Sequence, residues 1–148
     1  MRRYLVLLFL LGILKANDGE TYISPGIQIG MNSKGNFFIS GQITFGLLID
    51  DTAIGDAVPI GLTLGKRWYK IEKKEWEKYN YIDVQIWPYY AGMGLGIMID
   101  ENKSMHPRFK CGAGLFGYAT YDNFHSGEAL EHNFGLIGVL PIPERWIF

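Results

Sequence analysis

Apolar residues recur at every second position through most of this chain, and helical spacing is nearly absent. Successive side chains of a strand point to opposite faces, so a period of two marks strands and confines the fold to the all-β class. Ile23, Pro25, Ile27, Ile29 and Met31 alternate with Tyr22, Ser24, Gly26, Gln28 and Gly30. Asn32-Ser33-Lys34-Gly35-Asn36 has the chemistry of a hairpin turn. Beyond it, Phe37, Ile39, Ile43, Phe45 and Leu47 stand against Ser40, Gln42, Thr44 and Gly46. A loop from Asp50-Asp51-Thr52 to Asp56 leads into Ile60, Leu62 and Leu64, set against Gly61, Thr63, Gly65 and Arg67. Glu72-Lys73-Lys74-Glu75 reads as the next turn.

The longest run extends from Tyr79 to Ile99. Ile82, Val84 and Ile86 oppose Tyr81, Asp83 and Gln85, whereas Met93, Leu95, Ile97 and Ile99 oppose Gly92, Gly94 and Gly96. The apolar parity therefore switches from even to odd near Pro88. A slip of one residue turns every side chain to the other face, which predicts a bulge, a sharp bend or a tight turn at Trp87-Pro88-Tyr89-Tyr90. Asp100 to Arg108 reads as a polar loop. Phe109, Cys111, Ala113 and Leu115 alternate with Gly112 and Gly114, and a second loop covers Asp122 to Glu131. The last run places Phe134, Leu136 and Leu140 on one face before Pro141-Ile142-Pro143. The count is six strands, or seven if the long run folds back at Pro88, and the 19 glycines leave room for bends that hide an eighth. Short connections between consecutive strands predict an antiparallel meander. A small closed β-barrel is the expected architecture, with a soluble β-sandwich or open barrel as the alternative.

Two environments suit such alternation: an apolar core with a wetted outer face, or a lipid-facing apolar surface around a polar lumen. The character of the second face discriminates between them. Water-facing surfaces are rich in charge, but here that face is mainly Gly, Ser, Thr, Gln and Tyr. The stretches Thr21–Ser33, Gly35–Ile49, Ala57–Gly65 and Val84–Ile99 carry no charge. They meet the ~9–11 residues that a tilted strand needs to cross a bilayer core. A charge on the lipid face at mid-membrane costs roughly 2–4 kcal/mol, which accounts for such exclusion. Trp68, Tyr69, Trp76, Tyr79 and Tyr81 lie near strand ends, where an interfacial girdle would sit. Arg67 and Asp83 share the polar parity on neighbouring strands, placed to pair either in a lumen or on a surface.

The N-terminus reads Met1-Arg2-Arg3, then an apolar run from Tyr4 to Leu14, then Lys15-Ala16. This is the layout of a secretory signal peptide over residues 1–16, with cleavage expected after Ala16. The run is too short for a membrane-spanning helix, which needs roughly twenty apolar residues. Residues 17–148 then form one all-β domain, large enough for a single core. Removing Arg2, Arg3 and Lys15 leaves eleven basic residues against 15 acidic ones, a net charge of −4. A mildly acidic domain without a basic block is not expected to bind nucleic acid. Cys111 is the single cysteine, which excludes an intramolecular disulfide, and its strand parity makes it a packed thiol.

With a signal peptide, a meander of charge-poor alternating strands and a terminal Phe148 preceded by Trp146, the chain resembles the small bacterial outer-membrane β-barrel proteins. In that family an aromatic ending serves as a recognition signal for barrel assembly. The resemblance implies a closed barrel with an even number of strands, at least eight. Pro141, Pro143 and Glu144 interrupt the final run where such a barrel has an unbroken strand.

No catalytic, cofactor-binding or metal-ligating residue is assigned. His125-Ser126-Gly127-Glu128, followed by Glu131-His132, has the residue types of a hydrolytic triad, which needs a base beside the hydroxyl. Adjacent residues on a strand face opposite ways, and Ser126-Gly127 suits a turn, so the segment reads as a polar loop. His106, His125 and His132 are too dispersed for zinc, and Asp50, Asp51 and Asp56 lack the ordered spacing of a calcium loop. Gly92-x-Gly94-x-Gly96 lies inside a strand with no helix after it, so close backbone packing is favoured over nucleotide binding. Lys66-Arg67-Trp68-Tyr69-Lys70 suits either a solvated strand end or contact with phosphate head groups or glycans. The expected role is a structural, adhesive or surface-interaction protein of the bacterial outer membrane, with outer-membrane lipid as its surroundings. The alternatives are a secreted soluble β domain that binds a partner or self-assembles through exposed edges, and an outer-membrane lipid-modifying hydrolase. An eight-strand lumen is filled by side chains, so a wide diffusion pore is not expected.

Overall fold

The computed structural model describes residues 20–51, 56–72, 75–88, 90–114, 117–126 and 129–143. The expected signal peptide and the terminal Trp146 and Phe148 lie outside them. Eight strands run as an antiparallel meander: β1 (Glu20–Asn32), β2 (Phe37–Asp51), β3 (Asp56–Glu72), β4 (Glu75–Ile86), β5 (Ala91–Ile99), β6 (Met105–Gly114), β7 (Gly117–Ser126) and β8 (Ala129–Val139). β1 pairs with both β2 and β8, which closes the sheet into a barrel and removes its edges. The expected meander and closed barrel are thus what the chain adopts.

The hairpin turn after β1 forms as its chemistry dictates. Asn32 Oδ1 accepts from the amides of Lys34 and Asn36, and Gly35 takes a left-handed φ of 82°. The long run folds back where the parity switches. The Trp87 amide donates to Pro59 O at 3.0 Å, and the Ala91 amide donates to Pro88 O at 3.3 Å.

Two expected loops are corrected. The reading of Asp100 to Arg108 as loop is too long, because β6 begins at Met105. The supposed loop from Asp122 to Glu131 holds the end of β7, through Ser126, and the start of β8, from Ala129, paired from Gly117↔Gly138 to Ser126↔Ala129. This raises the count from six or seven to eight. On β7 the outward positions are Ala119, Tyr121, Asn123 and His125, which carry too little apolar character to show alternation.

The prolines at the end of the chain do not break the barrel. A two-residue strand β9 (Ile142–Pro143) pairs with β1 through Tyr22↔Pro143 and Ile23↔Ile142, in the register already set by Gly26↔Val139. It is therefore the continuation of β8. The Leu140 amide donates to Pro25 O at 3.0 Å. Hydrogen-bonded and non-hydrogen-bonded positions alternate along an antiparallel pair, so Pro141 and Pro143 fall where a residue donates nothing toward β1. Their ring nitrogens face the other side, past the first residue of β7, and no ladder bond to β1 is lost.

Candidate functional site

The barrel is inverted relative to a soluble protein. Ile27, Leu95 and Leu136, on three different strands, are 64%, 67% and 63% exposed. Met31, Ile43, Leu64, Val84, Met93 and Phe134 also point outward and are exposed. Arg67 and Asp122 point inward and are 0% exposed, with Asp83, Arg108 and Lys110 buried beside them. Soluble monomers rarely expose contiguous apolar faces on this scale, and buried charges require partners.

Those partners form one network. All five N–H donors of Arg67 are used: Nε to Ser40 Oγ at 2.9 Å, Nη1 to Tyr69 Oη and Asp122 Oδ1 at 2.9 and 2.8 Å, and Nη2 to Gln28 Oε1 and Asp122 Oδ2 at 3.0 and 2.8 Å. The fork-on-fork pairing with Asp122 is the strong geometry for this ion pair. The guanidinium also lies 4.1 Å from the Phe38 ring centroid. Arg108 donates to Asp83 Oδ2 at 2.6 Å and to Asp122 Oδ2 at 3.1 Å, and packs 4.4 Å from the Tyr81 ring centroid. Asp122 thus joins two guanidiniums. Arg67 and Asp83 do share the lumen, but each takes a different partner from β6 or β7 instead of the other.

Glycine makes these pairings possible. Asp83, Gly96 and Arg108 occupy one cross-strand row, as do Gln85, Gly94 and Lys110. Residues two strands apart are separated by roughly 10 Å, and a side chain on β5 would stand between them. A Cβ on Gly96 would collide with Ile82 O and the Asp83 carboxylate, and one on Gly92 with the Trp87 ring. The Gly92-x-Gly94-x-Gly96 run is therefore a floor over which β4 side chains reach β6. Gly96→Ala is expected to lower stability by about 1–3 kcal/mol, measured by urea unfolding. An unchanged midpoint would show that the row has slack.

Above the charged layer, Phe38, Tyr69, Tyr79, Met98 and Phe124 cap the lumen, with ring centroids 5.3 to 5.7 Å apart for the Phe38–Tyr69, Tyr69–Tyr79 and Tyr79–Phe124 pairs. Tyr69, Tyr79 and Tyr81 therefore do not belong to an outer girdle, because their odd positions on β3 and β4 face inward. Trp68 and Trp76 do face outward, beside Lys66, Lys70 and Lys78, and the Lys66 ammonium lies 5.7 Å from the Trp68 ring centroid. The Lys66–Lys70 motif is thereby split, with Arg67 and Tyr69 inside. At the same rim Lys34 forms an ion pair with Glu131.

The other singled-out residues are dispersed. His125 is exposed near the end of β7. His132, on the outer face of β8, lies 2.8 Å from Tyr121 Oη through Nδ1, and Glu131 points inward. The Ser126 side chain and residues 127–128 lie outside the described residues. His106 contacts Asp100 at 3.3 Å. Desolvation acts to raise the Asp100 carboxyl, but hydrogen bonds from the Ser104 amide, His106 and the Asn102 amide outweigh it and hold the group below the ordinary carboxylate range. Cys111 faces outward, half-buried, so it is not a core thiol. The acidic Asp50–Asp56 loop is only partly described, and its side chains lie outside.

At the end of the barrel that holds Glu20 and Pro143, the lumen opens into a cavity of about 330 Å³. Polar groups lie at its floor, among them Lys110, Gln85, Gln42 and Thr44, and Leu48, Pro59, Val139 and Pro143 line it toward the strand ends. Sequence reasoning missed Arg108, Lys110 and Asp122 as lumen residues. Their shared even parity on β6 and β7 was the available signal. No protein-family model, curated protein or solved structure matches this chain.

Proposed function

We propose that this chain is a small outer-membrane β-barrel protein, exported by residues 1–16, with a structural, adhesive or surface-interaction role. The observation that carries this reading is the inverted barrel, in which an apolar outer surface encloses a charged and hydrogen-bonded lumen. In water that surface is unfavourable by ~25 cal/mol per Å², whereas lipid removes the cost. The outward apolar positions fit the bilayer. Ile23 to Met31 on β1 and Phe37 to Ile49 on β2 cover about 27 and 41 Å of strand, roughly 20–30 Å of height at a tilt of ~40°. Their upper ends stand level with the basic segment of β3 through Phe37↔Lys70 and Gly41↔Lys66, and the part that is apolar on both β2 and β3, from Ile43↔Leu64 to Ile49↔Val58, covers about 20 Å of strand. The Trp68, Trp76, Lys66, Lys70 and Lys78 rim has the amphipathic and basic residues suited to a headgroup layer. The aromatic cap and the Arg67–Asp122 layer fill the section of the lumen that a diffusing solute would cross.

The expected result on expression with residues 1–16 is a chain that starts at Asn17, is extracted from membranes only by detergent, and shifts its gel mobility on heating. Recovery wholly in the soluble fraction would reject the reading. Large detergent-free particles would assign the apolar belt to self-association.

A further inference from the structure

We propose that the open end of the lumen is a binding site for a single-chain aliphatic carboxylate, with its head on Lys110 and its tail toward Val139 and Pro143. Among the described residues the buried lumen charges are Arg67, Arg108 and Lys110 against Asp83, Asp122 and Glu131, and Glu131 lies at the opposite rim in its ion pair with Lys34. The two arginines and two aspartates bind one another. The surplus positive charge therefore resides on Lys110, which lines the cavity. Among the described residues its ammonium has a hydrogen bond to Gln85 Oε1, at 3.5 Å, and otherwise packs 5.9 Å from the Trp87 ring centroid. An ammonium carries three donors, so capacity remains for an anion.

The surroundings select the ligand's chemistry. One uncompensated cation at the lumen floor matches a monoanion, whereas a dianionic phosphate would retain an unpaired charge there. Toward the strand ends Leu48, Pro59, Ile137, Val139, Pro141 and Pro143 offer an apolar sleeve. The cavity is at the lower limit of ligand pockets, roughly 300–1,000 Å³, which suits one medium-length chain and excludes a two-chain lipid.

The test uses the full mature chain folded in lipid nanodiscs, or in buffer if it is recovered without detergent, so that failure of binding is separable from failure of the membrane reading. [1-13C]decanoate is titrated by NMR, with decyl phosphate and decyltrimethylammonium as competitors. A saturable one-to-one carboxyl resonance is expected. Lys110→Met should weaken it at least tenfold, and Lys110→Arg should retain it. Val139→Trp should abolish it by filling the sleeve while leaving the lysine in place. Shortening the tail should weaken binding by about threefold to fourfold per methylene. Retention of the heat-shifted folded form certifies each variant. Equal affinity in Lys110→Met, or displacement by decyltrimethylammonium as effective as by decanoate itself, would overturn the proposal, as would a resonance that never saturates.

Discussion

Asp122→Asn is expected to destabilise the barrel by about 3–5 kcal/mol, the cost of removing one partner from a buried ion pair. The substitution keeps the shape of the side chain and removes its charge. Arg108 would keep its bond to Asp83, whereas Arg67, whose carboxylate bonds all go to Asp122, would be left without an anionic partner. The penalty arises from desolvation, because both guanidiniums lie at 0% side-chain exposure and cannot regain water without opening the barrel. Urea unfolding in vesicles, followed by the heat-shifted gel band, measures it. The double variant Arg67→Met/Asp122→Leu removes both charges and is expected to recover about 2–3 kcal/mol relative to the sum of the single changes. A shift below about 0.5 kcal/mol in Asp122→Asn would mean that the lumen is hydrated enough to screen the network.

Leu95→Arg gives the second large effect and bears on the environment of the outer surface. Leu95 is 67% exposed in the middle of the outward row Met93, Leu95, Ile97 and Ile99. In a bilayer an arginine near the midplane costs about 2–4 kcal/mol, and the same change at the rim costs much less. On a wetted surface a substitution at such an exposed position stays within about ±0.5 kcal/mol. Leu136→Arg should behave alike from the β8 side, whereas Lys70→Met at the Trp76 rim should be nearly neutral. Near-zero shifts in both arginine variants would remove lipid from the account of the outer face.

Parity explains which strands were legible. Cross-strand partners share a face, so a hairpin that pairs even with odd positions flips the apolar parity in the sequence. Ile86↔Met93 does this, which is why the turn near Pro88 was visible. Gly112↔Thr120 pairs even with even, and the alternation passes through that hairpin unmarked. Leu115 and Phe116 are not turn-forming residue types, so the sequence reads as one strand through Leu115 followed by a loop.

The same physics divides the charges. Arg67 and Asp83 are legible as lumen candidates because they fall on the polar parity opposite clean apolar rows. Arg108 and Asp122 fall in segments that read as loops, since the outward neighbours Pro107, Asn123 and His125 do not form an apolar row. Tyr69, Tyr79 and Tyr81 lie near strand ends, but their odd positions on β3 and β4 turn them into the lumen, and facing decides over nearness to the rim.

The amino-acid sequence by itself determined the all-β meander, the side of each recognised strand that is apolar, and the absence of charge from most of that side. These are local properties, set by a two-residue period. The tertiary structure alone decided how many strands close the ring and which cations meet which anions. It also decided that one lysine is left over beside a cavity. Those outcomes depend on register between strands far apart in the chain and on glycines such as Gly94 and Gly96, whose missing side chains let residues two strands apart touch.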